Sequence, residues 1–189
     1  QGMIRHFGCS SHDSDANVRK LLETGFFESI ILQYNMLNRT HEQTLAMAHE
    51  RGIGVVIMGP LAGGKLALPN EVLAQAAPGV EKNSGELALR FVLANPNVSV
   101  AMSGMESTEI IDRNAAVASD PAGLSEADYA AVDAHLTRPR GLAALNCPGC
   151  GDCVPCSAKL RIPWIFDLYH LARVSGLGAT ARKGYAGIL

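Results

Sequence analysis

No apolar run in this 189-residue chain reaches the ~18 residues that a transmembrane helix needs. An excess of one charge sign is also missing. Sixteen Lys and Arg stand against eighteen Asp and Glu, a net of −2 with a pI near 6.3. Nucleic acid is therefore not expected as a partner, because phosphate binding wants a basic face. The opening residues Gln1-Gly2-Met3-Ile4-Arg5 have the pattern of neither a signal nor a transit peptide, and no membrane partner is expected. Outside one short stretch the chain has a single cysteine, Cys9. An apolar content of 48% is ample for a buried core. The length suits one domain-sized unit and an appendage.

The short stretch is Cys147-Pro148-Gly149-Cys150-Gly151-Asp152-Cys153-Val154-Pro155-Cys156, four thiols each two residues from the next. Spacers this short, rich in Pro and Gly, let a loop wrap one small object. A cubane iron–sulfur cluster offers four iron corners, one for each thiolate. Structural zinc more often takes two CxxC pairs separated by roughly 12–20 residues. A disulfide framework suits small, core-poor secreted domains. The spacing thus favours a 4Fe-4S cluster on Cys147, Cys150, Cys153 and Cys156, with zinc the next reading. Thiols of this type belong to a reducing compartment, so a cytoplasmic location is expected.

Upstream, the hydrophobic pattern alternates between strands and helices. Residues 3–9 read as a short strand, and Asp15 to Thr24 as a helix with Val18, Leu21 and Leu22 on one stripe. Ser29 to Gln33 and Gly54 to Met58 are almost continuously apolar, as strands buried on both faces would be. Thr40 and Gln43 form a capping-box pattern for a helix running to about Arg51. Further helices are expected over 84–94 and 107–118, with a strand over 98–102 between them. Ser125 and Asp128 are placed to cap a helix carrying Tyr129, Val132 and Leu136. Pro163 opens a terminal helix, and residues 175–189 read as loosely held. Four strand–helix units imply an α/β fold with a parallel sheet, either open and doubly wound or part of an eight-stranded barrel.

Three segments in this order carry a family resemblance: Ile4 to His12, Leu32-Gln33-Tyr34-Asn35-Met36-Leu37, and Val56 to Gly64. Together with Val100 to Met105 and Asn114 they resemble the second half of an aldo/keto reductase barrel of the TIM (β/α)8 type. The cysteine loop resembles the one carried by that family's iron–sulfur-bearing branch. The resemblance implies two regions. Residues 1–137 form the half barrel on the side that binds the nicotinamide cofactor, and 138–189 hold the cysteine loop, a terminal helix and a tail. It implies NAD(P)H-dependent carbonyl reduction, with NADP(H) or NAD(H) bound at the C-terminal ends of the strands without a Rossmann fingerprint. Ser10, Ser11 and Gln33 would hold the nicotinamide carboxamide. Met58 stands where the family often has an aromatic residue stacked on the ring. Pro60, Leu61, Gly63 and Gly64 would lie along the pyrophosphate. Ser103, Gly104, Met105, Arg113 and Asn114 would meet the adenosine end. Ile110 occupies a position where a basic residue often grips the 2′-phosphate, which leaves NAD and NADP both open.

The family's catalytic Asp, Tyr, Lys and His belong to the first half of the barrel, so no catalytic residue is assigned in this chain. The expectation is a C-terminal portion, or one half of a split enzyme, whose partners are the nicotinamide dinucleotide, a small carbonyl substrate and an N-terminal half or other partner chain. The alternative is a small iron–sulfur electron-transfer or scaffold module that packs on a partner. Gly59-x4-Gly64-Lys65 approaches a P-loop, but Leu66 replaces the Ser or Thr that would hold magnesium and Pro69 interrupts the helix. His6, His41, His49 and His135, with Cys9 and Trp164, read as satisfied or packed groups; His12, which follows Ser11 at a strand's functional end, is the one histidine with a competing site reading.

Overall fold

The computed structural model describes residues 2–67, 84–120, 122–137, 153–173 and 177–187. The chain divides into two compact units. Unit 1 is Gln1–Pro69 with Gly79–Tyr129, and unit 2 is Asn70–Pro78 with Ala130–Leu189.

Unit 1 holds a four-stranded parallel sheet in chain order: β1 (Gly8–Ser10), β2 (Ser29–Gln33), β3 (Gly54–Met58) and β4 (Val100–Ala101). Helices α1 (Asp15–Glu23), α2 (Glu42–Glu50), α3 (Ser84–Leu93) and α4 (Thr108–Ser119) alternate with the strands. This is the expected α/β alternation. Period-two patterning sets the faces: Ile30, Leu32, Val55 and Ile57 are fully buried. The helices supply Val18, Leu22, Leu45, Ala48, Leu87, Ala88, Phe91 and Val92 to the core, all buried. Each large side chain removed from water this way contributes about 1.5–3 kcal/mol.

Among the described residues the other sheet face is less covered. Strand register puts Ser10, Ile31, Val56 and Val100 in one row, and Gln33 beside Met58 in the next. Ile31, Gln33, Val56 and Met58 are only half-buried, and Val100 is 50% exposed. The strands were expected to be buried on both faces; in the described residues one face is.

Several boundaries differ from the expectation. β1 is Gly8–Ser10 rather than 3–9, because Gly8 is the first residue whose β2 partner, Ser29, exists in the ladder. Met3, Ile4 and Phe7 are exposed. The capping box at Thr40 and Gln43 does not form. The helix starts one residue later, at Glu42, and its N-cap His41 makes no side-chain cap bond. The Thr40 N–H is already held by Asn38 Oδ1 at 3.2 Å. Three helix ends are capped, the last as expected. Gly25, at φ 73°, follows α1, a conformation that favours glycine. Ser107 caps α4 through the Ile110 N–H. The Ser125 hydroxyl accepts from the Asp128 N–H at 3.1 Å at the start of α5 (Glu126–Thr137).

In unit 2, α6 (Ile162–Arg173) has Pro163 in its first turn, as expected. Residues 178–186, expected to be loosely held, form a further helix, α7 (Gly178–Ala186). Leu168, Leu171, Leu177 and Ala181 make a small shared core, and Trp164 and Ala172 pack against it. Gly184 makes this possible: a Cβ there would stand 2.7 Å from Leu168 Cδ2. The Gly and Ala content that looked like slack is what lets α7 approach α6 closely.

Candidate functional site

The candidate site follows the C-terminal edge of the sheet, where parallel α/β folds place their ligands. Ser10 is the last residue of β1 and is exposed. Ser11 continues the strand by donating its N–H to the Ile31 carbonyl at 3.2 Å, and its hydroxyl accepts from the Asp13 N–H. Gln33 ends β2 and Met58 ends β3, paired in register. A side chain at Gly59 would begin 3.8 Å from Gln33 Cγ and 3.9 Å from its Nε2. The edge thus has a thioether, an amide and two hydroxyls, and no charge between them.

After β3 the backbone turns sharply. Gly59, Ala62, Gly63 and Gly64 all have positive φ, at 63°, 50°, 67° and 84°. Glycine tolerates that region at little cost; Ala62 adopts it inside a turn closed by its own N–H on the Gly59 carbonyl at 2.9 Å. Pro60 is buried, Leu61 half-buried, and Gly63 and Gly64 exposed. The turn is anchored by a residue the sequence reading passed over. Asn35, 1% exposed, donates its Nδ2 to the Gly59 carbonyl at 2.9 Å. Its Oδ1 accepts from the N–H groups of Leu37 and Asn38, both at 2.9 Å. One amide therefore ties the end of β2 to the turn after β3. The pattern Gln-Tyr-Asn at a strand end was its only trace in the sequence.

At β4 the chain leaves through Ser103, Gly104 and Met105, the last 45% exposed. Asn114 Nδ2 donates to Ser103 Oγ at 3.4 Å, so these two expected site residues do meet. Arg113 is exposed on α4. Glu109 sits at the N-terminus of that helix, its carboxyl held below the usual range first by the Ser107 hydroxyl and then by its own backbone N–H. A helix N-terminus stabilises anions, and here a carboxylate already uses part of that field.

Behind the edge lies a polar network that the sequence did not announce. Tyr34, fully buried, donates its hydroxyl to Glu42 Oε1 at 3.1 Å and accepts from Asn95 Nδ2 at 3.3 Å. Its oxygen also lies 3.4 Å from that of Tyr129. Burial, reinforced by Tyr129, pushes the Tyr34 phenol far above its usual range. Hydrogen bonds to Glu42 and Asn95 hold this hydroxyl in place. Phe91 stacks on Tyr129 at 4.8 Å between ring centroids, with the Arg39 guanidinium 5.6 Å from the Phe91 ring. Cys9 is half-buried, and burial raises its thiol.

Of the four expected cluster ligands, Cys147 and Cys150 lie outside the described residues. Cys153 and Cys156 are free thiols, both half-buried, and the Cys156 carbonyl accepts from the Lys159 N–H at 2.9 Å. Two unpaired thiols suit a thiolate donor set, but the two make no group of three donors among the described residues. No helix among the described residues is long and apolar enough to cross a membrane.

A model of the aldo/keto reductase family matches residues 1–137. The chain belongs to the aldo/keto reductase family. Among solved structures, the aldo-keto reductase AKR11C1 from Bacillus halodurans, in apo and holo forms, superposes with a TM-score of 0.60 at 26% identity. The match covers 69% of this chain and 50% of that one. Two curated relatives are the uncharacterized oxidoreductases C215.11c of Schizosaccharomyces pombe and YqkF of Bacillus subtilis. The first is 27% identical over 116 residues, 60% of this chain and 37% of its own. The second is 25% identical over 158 residues, 71% and 51%. The chain thus spans about half or less of the length of these aldo/keto reductase relatives. Its parallel sheet with alternating helices is consistent with part of the family's barrel.

Proposed function

We propose that this aldo/keto reductase chain is the C-terminal, nicotinamide-binding portion of an oxidoreductase that reduces small carbonyl compounds with NAD(P)H. The carrying observation is the alignment of Ser10, Gln33, Met58 and the Gly59–Gly64 turn along one edge of a parallel sheet. Met58 provides a polarisable shelf for a flat ring. Gln33, Ser10 and Ser11 offer donors and acceptors to an amide lying on that shelf. The backbone of residues 60–64 can come close to a pyrophosphate because Gly63 and Gly64 have no side chains in the way. Ser103, Gly104 and Met105, with Arg113 and Asn114, face the adenosine end. When bound, the nicotinamide supplies the hydride. Asn35 positions the site by holding the turn against the end of β2. The proton donor comes from complementary strands that would cover the open sheet face. Carbonyl reduction by this chain unaided would overturn that part of the assignment.

Cys147, Cys150, Cys153 and Cys156 hold a 4Fe-4S cluster in this reading, supported by their spacing and by the two free thiols at 153 and 156. The cluster supplies one-electron chemistry or staples the loop. Its thiolates favour a reducing, cytoplasmic setting. A second reading, a module that packs on a partner chain, draws support from the row Ser10, Ile31, Val56 and Val100, exposed or half-buried among the described residues.

The test is a fluorescence titration of the chain with NADPH and NADH beside its iron content. Binding should weaken about tenfold in Gln33→Leu, which removes one bond to the carboxamide. Unchanged affinity in that variant removes Gln33 from the site. Iron without nucleotide binding favours the partner-packing module.

A further inference from the structure

Two helix starts meet beside the site through one carboxylate. Asp15 opens α1, and its side chain is 17% exposed. Thr44, fully buried in the first turn of α2, donates its hydroxyl to Asp15 Oδ1. His41, the buried N-cap of α2, brings its Nδ1 to 3.5 Å from the same oxygen. Arg19, one turn along α1, sets its Nε 2.9 Å from Oδ2. Taking a carboxylate largely out of water costs free energy unless partners compensate, and an apolar pair could hold α1 on α2 as firmly. What hydrogen-bonded partners add is a fixed geometry.

The place of this knot in the fold gives that geometry a use. Residues 11–14 join β1 to α1 and are cross-linked among themselves. The Asp13 N–H reaches Ser11 Oγ at 3.2 Å, the Ser14 N–H reaches Asp13 Oδ1 at 2.6 Å, and Asn17 Nδ2 donates to the same Oδ1 at 3.0 Å. A short loop braced in this way moves as a body, so whatever fixes Asp15 also fixes Ser10 and Ser11. On the other side, residues 34–41 join β2 to α2 and include Asn35, which holds the Gly59 carbonyl. The carboxylate thus ties the connection after β1 to the connection after β2, and through Asn35 to the turn after β3.

We propose that Asp15 is a positioning residue: held by Thr44 and His41, it sets the Ser10 and Ser11 hydroxyls at the end of β1 relative to Gln33 at the end of β2, and with them the fit of the nicotinamide carboxamide; the inference rests on the cofactor reading above. Asp15 acts through the loop and not by touching the cofactor. Released from α2, the loop drifts, and an amide that must be met from both strand ends at once loses one set of bonds.

The experiment uses the full chain, with NADPH and NADH as probes. Thr44→Val keeps the buried volume and removes the hydroxyl, whereas Thr44→Ser keeps the hydroxyl. Three quantities are read: thermal melting, hydrogen exchange of the amides of residues 11–17, and the affinity and emission shift of bound NADPH. Thr44→Val should speed that exchange and weaken NADPH binding about tenfold. Thr44→Ser should restore both. Val18→Ala, which loosens α1 through its buried face alone, is the control, and should lower melting with far less loss of affinity. Asp15→Ala repeats the test if Thr44→Val does not fold. A wild-type chain that binds neither nucleotide defeats the cofactor reading and the positioning role with it. A wild-type chain that binds NADPH, matched in affinity by Thr44→Val, overturns the positioning role alone. Faster exchange with unchanged affinity, no rescue in Thr44→Ser, or an equal loss in Val18→Ala would each reduce the carboxylate to a contact between helices and overturn the proposal.

Discussion

The two units solve the same problem at different scales. In unit 1 one sheet face and four helices enclose a deep core, crossed by the hydrogen bonds of Tyr34, Asn95, Glu42 and Tyr129. In unit 2 the α6–α7 pair shares a cluster of four buried residues and relies on Gly184 to bring its helices close. Among the described residues both leave an apolar surface partly exposed: the second face of the sheet in one, the second stripe of α6 in the other. The difference teaches where each surface gets its meaning. The sheet face ends in the strand-end groups of Ser10, Gln33 and Met58. The helix stripe carries the exposed side chains of Leu160, Phe166 and Tyr169, with the Arg173 guanidinium 6.0 Å from the Tyr169 ring.

The largest expected effect tests the depth of the two cores. Phe91→Ala removes a fully buried ring stacked on Tyr129 and Tyr34 and should cost about 3–5 kcal/mol in urea unfolding of unit 1. Leu171→Ala in the thinner core should cost about 2–3 kcal/mol and lower a helix-reporting transition. Equal losses in one shared transition would show that the two units unfold as one.

Tyr34→Phe is a smaller change with a sharper message. It keeps the ring but leaves Asn95 Nδ2 without its acceptor inside the protein, a loss of about 1–3 kcal/mol in the same unfolding measurement. A neutral outcome would mean that water replaces the hydroxyl.

The smallest effect is in pH dependence, and the units should differ in sign window. Burial, opposed by Asp167, lowers the His170 pKa from its usual 6.5 in unit 2. The folded form therefore binds fewer protons than the unfolded one, so this contribution is present above pH 6.5 and lost as pH falls through the lowered value. In unit 1 the Ala122 N–H and then Arg90 hold the Asp120 carboxyl below its usual 3.8. That contribution is present above 3.8 and disappears only in stronger acid. Thermal melts from pH 8 to 3 should show unit 2 weakening first, and His170→Gln should flatten its response. An unchanged profile in that variant would remove His170 as the cause.

Much of unit 1 was legible because its signals are local. The boundaries of β2 and β3 match the apolar runs residue for residue, since a buried strand needs only an unbroken run between turn residues. The Ser125 cap was legible for the same reason: a cap and its amide are three residues apart. The capping box at Thr40 failed because Asn38 competes for the same backbone. β1 was misplaced because a strand's start is set by its neighbour, Ser29, far along the chain. Asn35 and the Tyr34 network were invisible for that reason too, their partners lying up to 95 residues away.

By itself the sequence determined the alternation of strands and helices, the glycine-rich turn after β3, the four-cysteine run and the family. Each rests on residue type and short spacing. The tertiary structure alone decided that one sheet face is only half-buried among the described residues, that Asn35 holds the turn, and that residues 178–186 fold onto α6. Those outcomes depend on packing between distant segments, where burial and hydrogen-bond satisfaction outweigh the local preference of any one stretch.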